Sequence, residues 1–124
     1  MFSVHIEYDV AKRILKDASG RDNYCIGTVG DNNGTALIFH IIDPNNELEG
    51  YSGRAEFGIE VQDGAVSHRP YIPLDSDNKV ILTDEIMRNT KRSALPVQLV
   101  YEDDGGHVFA SFNMLTYTVT NAVN

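Results

Sequence analysis

The chain has 124 residues, 42% of them hydrophobic and 23% charged, which suits one globular domain with one core over residues 1–124. Lys and Arg total 10 against 18 Asp and Glu, a net charge of -8, so no basic stripe is available to neutralise phosphates, and binding to nucleic acid or an anionic membrane is disfavoured. No apolar run approaches the roughly 20 residues that cross a bilayer.

The N-terminus, "MFSVHIEYDV", lacks the basic-then-apolar pattern of a signal peptide. Within it Phe2, Val4, Ile6 and Tyr8 alternate with Ser3, His5 and Glu7, the pattern of a half-buried strand. The stretch from Asp9 to Asn23 reads as irregular, with a turn of helix or a short strand at Arg13 to Lys16. "YCIGTV" predicts a strand and "GDNNG" a turn, since Gly, Asp and Asn tolerate positive φ. "TALIFHII" is apolar on both faces, with Leu37, Phe39 and Ile41 on one and Ala36, Ile38 and Ile42 on the other. That pattern predicts a central strand, or one packed under a helix or loop.

After a second turn, "RAEFGIEVQ" alternates cleanly. Ala55, Phe57, Ile59 and Val61 are expected inside, and Arg54, Glu56 and Glu60 outside. Asp63-Gly64 predicts a hairpin turn, and Pro70 and Pro73 confine the following strand to an edge or break it. A short strand "KVIL" comes next. Thr83 is placed to cap a short helix over 84–91, with Asp84 and Glu85 at its positive end and Lys91 near its negative end. "ALPVQLVY" predicts a strand and "EDDGG" a turn. In "HVFASFNMLTYTVT", Val108, Ala110 and Phe112 have one parity and Leu115, Tyr117 and Val119 the other, which predicts a bulge or bend near Asn113. About eight short strands with frequent turn signals predict an all-β antiparallel sandwich.

No residue pattern assembles a catalytic or metal centre. An EF-hand loop needs glycine at its sixth position and glutamate at its twelfth. Counted from Asp43 these are Leu48 and Arg54; from Asp75 they are Val80 and Ile86; from Asp31 the glycine, Gly34, comes too early. Asx-type turns are the expected role of these acids. His5, His40, His68 and His107 are scattered, and His40 reads as a neutral, hydrogen-bonded core or interface residue. Cys25 is the single cysteine, which fits a reducing compartment of synthesis, and it reads as buried filler. The expectation is no enzyme and no cofactor. Six tyrosines leave sugar stacking open, although the chain has no tryptophan.

The segment "VGDNNGTALIFHIIDPNNELEGYSGRAEF" resembles the N-terminal domain of phage upper-baseplate proteins (the BppU type), and the related head- and tail-fibre adaptors of phages of Gram-positive bacteria. The pattern is a GDxN turn (Gly30, Asp31, Asn33), a strand with Leu37, Phe39, Ile41 and Asp43, then Leu48, Gly50 and Tyr51. With the "LTDEIM" stretch and the terminal hairpin, the resemblance spans Ser3 to Ala122. It implies a β-sandwich that docks a fibre or receptor-binding module onto a baseplate, tail or head protein. The chain would then be made in the bacterial cytoplasm and located in the virion. Trimerisation would belong to a stalk, leaving the domain itself monomeric. The candidate docking residues are Ile38, His40 and Ile42, the second face of the most apolar strand. The alternative is a carbohydrate-binding sandwich module.

Overall fold

The computed structural model describes residues 1–90 and 93–121. Lys91, expected near the helix end, and Ala122, the end of the family-like span, lie outside the described residues. Among the described residues are twelve strands and one short helix: β1 (Phe2–Asp9), β2 (Ile14–Asp17), β3 (Cys25–Thr28), β4 (Thr35–Ile42), β5 (Tyr51–Phe57), β6 (Val61–Asp63), β7 (Val66–His68), β8 (Tyr71–Pro73), β9 (Lys79–Ile81), α1 (Asp84–Arg88), β10 (Ala94–Asp103), β11 (Val108–Ala110) and β12 (Leu115–Thr120). One sheet has the order β2-β1-β4-β9. The second has the order β3-β12-β10-β5-β8, with β11 also on β10, and β6-β7 is a separate hairpin.

The all-β sandwich is therefore present, with more and shorter strands than the turn signals suggest. Its sheets are mixed, because β1 runs parallel to β4 and β12 parallel to β3. Parallel neighbours cannot be joined by a tight turn. Between β1 and β4 the chain forms β2, crosses to the second sheet as β3, and only then returns.

The period-two patterns place the core. Val4, Ile6 and Tyr8 of β1 and Leu37 and Phe39 of β4 face Ala55 and Phe57 of β5, Leu95, Val97 and Leu99 of β10, and Tyr117 and Val119 of β12, all within one buried cluster. Ile59 and Val61 are buried too, while Glu60 is exposed. Arg54 and Glu56 are only half-exposed, because Arg54 binds Glu56 at 2.8 Å and Glu102 at 3.0 Å on the outer face. The prolines act as expected: β7 and β8 are separate, and β8 is an edge strand.

The turn chemistry explains the acids. Asp43 accepts the Glu47 and Leu48 N–H groups, Asp75 those of Asp77 and Lys79, and Asp31 that of Thr28. Gly30 (φ 100°) and Gly50 (φ 83°) lie at larger positive φ than Asn33 (φ 61°) and Asn46 (φ 55°) in the same turns, a range that glycine enters most easily.

Four local expectations are corrected. Thr83 precedes α1 in extended conformation but its side chain makes no cap bond; the Asp84 N–H donates to Asn32 Oδ1 at 3.0 Å, so the GDNNG turn caps the helix from a distance in sequence. Cys25 is exposed, because β3 is an edge strand whose inward residue is Ile26. His40 is exposed rather than in the core. Between β11 and β12 the chain breaks as predicted near Asn113, but the register against β10 slips by two residues, not one. An even slip preserves facing, so Phe109 and Ser111 turn inward with Tyr117 and Val119, and Phe112 is left 69% exposed.

Two polar nodes tie the sheets together. The Asn113 side-chain amide accepts the Leu15 N–H at 2.7 Å and donates to the Leu15 carbonyl at 2.8 Å, standing in for a missing strand neighbour. Asp17 on β2 accepts the hydroxyls of Tyr117 and Tyr24, each at 2.7 Å, and the Ser19 N–H and hydroxyl. Burial alone would raise the Asp17 pKa. The hydrogen bonds from Ser19, Tyr24 and Tyr117 outweigh it and hold the carboxyl below its ordinary value.

Candidate docking surface

The four-stranded sheet presents its second face outward. The register builds it in rows: Ile14–Asp9–Ile42, then Lys16–Glu7–His40, then His5–Ile38–Lys79. Of the predicted docking residues, Ile42 is 46% exposed, His40 is exposed and Ile38 is half-buried. The strand pattern thus brings all three onto one open face of a strand that is central in its sheet. The expectation of cover on both sides holds only for the inner face and Ala36.

Sequence reasoning missed three neighbours. Ile14 flanks Asp9 opposite Ile42 and is 40% exposed. Beyond it, the Phe112 N–H donates to the Arg13 carbonyl at 2.7 Å, which sets exposed Phe112 beside the same edge, and Met114 is 52% exposed just after it. Arg13 holds this corner. Its guanidinium donates twice to the Ala110 carbonyl and lies 4.3 Å from the Phe112 ring centroid. The sequence signal was the parity switch between Phe112 and Leu115, which reflects the exposure of Phe112.

The same register brings His5 and His40 together. The rings meet end to end, with centroids 5.1 Å apart, and His5 Nδ1 lies 2.8 Å from His40 Nε2, so one ring donates a hydrogen bond and the other accepts it. His68 is exposed elsewhere, and His107 pairs with Asp103 at 3.0 Å. Among the described residues, no group of three or more His, Cys, Asp or Glu converges on a point that could hold a metal.

On the outer face of the second sheet lies an open groove of about 590 Å³, lined by Arg54, Glu56, Arg69, Tyr71, Glu102 and Asp103, with Ser52, Gly53, Pro73 and Asp104. Tyr71 is 59% exposed, and the Arg54 guanidinium lies 5.6 Å from its ring centroid.

No family model matches the sequence, and no curated protein matches it either. Among solved structures, one superimposes on 97% of this chain and 99% of its own, with a TM-score of 0.51 at 14% identity. The fold is similar to that of the N-terminal domain of phage TP901-1 ORF48. The likeness to the ORF48 domain extends end to end, so it concerns the whole chain and not one hairpin. At this identity it is a likeness of fold.

Proposed function

We propose that this domain is a virion docking module, which attaches a fibre or receptor-binding part of a phage to a baseplate, tail or head protein. The observation that carries the reading is the end-to-end fold similarity to the N-terminal domain of a phage protein, in keeping with the resemblance of the Gly30–Phe57 segment to phage anchor domains. The exposed face fits a contact surface better than a reaction site. Ile14, Ile38 and Ile42 supply apolar area, interleaved with the charged Lys16, Glu7, Asp9 and Lys79. A stable contact of this kind buries on the order of 1,200–2,000 Å² in total.

The test is made in virions. In a phage whose corresponding protein lacks residues 1–124, the attached fibre or a tagged downstream partner is expected to be missing from purified particles. In the double variant Ile14→Glu, Ile42→Glu, incorporation is expected to fall while the domain stays folded, because both side chains are already exposed. Normal copy number in the truncated phage overturns the docking reading. Loss in the truncation but not in the double variant moves the contact to another face.

The groove beside Tyr71 supports a second reading, a saccharide site in which the ring stacks on a sugar face and Arg54, Glu102 and Asp103 hydrogen-bond its hydroxyls. Screening against host cell-wall polysaccharides is expected to show binding that Tyr71→Ala abolishes without changing the melting temperature. Binding that survives the substitution removes the groove from consideration.

A further inference from the structure

The geometry points to His5 and His40 as an exposed two-imidazole site for a divalent transition-metal ion of the copper, nickel or zinc class. The site lies on the open face of the four-stranded sheet and does not depend on what that face docks against.

The inference starts from the strand register. His5 on β1 opposes Ile38, and His40 on β4 opposes Glu7, so the two histidines are diagonal neighbours on the same face of a parallel pair. Both are exposed, and their facing nitrogens are 2.8 Å apart. Imidazole nitrogens bind such ions at about 2.0–2.1 Å. Two nitrogens at right angles about one ion are then about 2.9 Å apart, and at a tetrahedral angle about 3.4 Å apart. The observed spacing is close to the first, but the ring nitrogens point at each other along the hydrogen bond, so each ring must turn by roughly 45° to aim its lone pair at a shared ion. An ion would replace the hydrogen bond between the rings, which holds one proton between two lone pairs.

The backbone fixes both ligands on adjacent strands in the interior of a hydrogen-bonded sheet, so only the two side chains remain to be oriented on binding. Glu7 is the acid nearest by register on this face. The coordination positions that the imidazoles leave open point to solvent. Soft and borderline ions suit imidazole, whereas calcium and magnesium prefer oxygen ligands. The general order of affinities favours copper(II) over zinc.

The experiment uses the untagged 124-residue chain, titrated with copper(II), zinc, calcium and magnesium salts in a non-coordinating buffer and followed by calorimetry and thermal melting. The expected result is one tight copper(II) equivalent and weaker zinc, with each ion raising the melting temperature, and no response to calcium or magnesium. His5→Ala and His40→Ala should each weaken copper(II) by about a hundredfold or more, because the second imidazole acts at high effective concentration. The double variant should be little weaker than either single one, and the copper(II) resonance spectrum should show couplings from two imidazole nitrogens. The control variant His68→Ala, His107→Ala should bind as the parent does. Two independent weak sites, with each single variant merely lowering the stoichiometry, would overturn the proposal. So would unchanged binding in His5→Ala, or loss of binding only in the control variant.

Discussion

Phe39→Ala is expected to leave little folded protein, with a stability loss of about 3–5 kcal/mol. Phe39 is 2% exposed, opposes Ile6 on the central pair of the four-stranded sheet, and lies within the cluster shared by both sheets. Truncation removes the transfer energy of the ring and opens a cavity between two sheets that cannot close independently. A small domain has roughly 5–15 kcal/mol of stability in total, so the loss is a large share of it. Glu60→Ala, on an exposed carboxylate beside the core residues Ile59 and Val61, is expected to be within about 0.5 kcal/mol of the parent. Urea titration of both variants checks the pair. Equal midpoints would mean that β4 does not carry the core.

Asp17→Asn should be the most damaging polar substitution, and its effect should depend on pH. Asp17 is 5% exposed and receives two tyrosine hydroxyls, one of them from the opposite sheet. Hydrogen bonds to a charged acceptor contribute about 1.5–3 kcal/mol each, so a loss on the order of 3 kcal/mol at neutral pH is expected. The folded pKa of Asp17 is lowered from its ordinary 3.8. Its contribution is therefore fully present above about pH 4 and lost as pH falls through the lowered folded value. The gap between parent and variant should narrow only below that point. A constant gap down to about pH 2 would show that the charge is not its source. At the alkaline end, burial and the Asp17 charge push Tyr24 up from 10.0 to about 12. That group stabilises the fold in full below about pH 10, and the contribution is lost as pH rises towards 12. Melting temperatures measured across both limbs test the two signs together.

Much of the sandwich was legible in the chain because its signals are local. A period of two over Phe2–Tyr8 and Arg54–Val61 specifies which side chains go inward, whatever the strands pair with. Asp and Asn with glycine mark the turns, since few other residues accept those backbone angles. Ile38, His40 and Ile42 sharing a face follows from the same periodicity.

What the chain could not show was pairing between distant strands. The parallel partnership of β1 and β4 is set by how two sheets close over one core, and nothing local encodes it. That partnership brings His5 within 2.8 Å of His40 and, with the β1–β2 pairing, lines Ile14 up with Ile42 across Asp9. The parity switch at Asn113 reads as a bulge or bend, yet the Asn113 amide reaches Leu15 on the other sheet, and the two-residue slip leaves Phe112 facing outward. Thr83 has the right residue type for a cap, but its side chain makes no cap bond, and Asn32 from a distant turn takes the Asp84 N–H. Composition and periodicity determined the layers and their inner faces. Long-range register, which depends on the free energy of closing the whole core, decided which outward residues became neighbours and so where a surface could act.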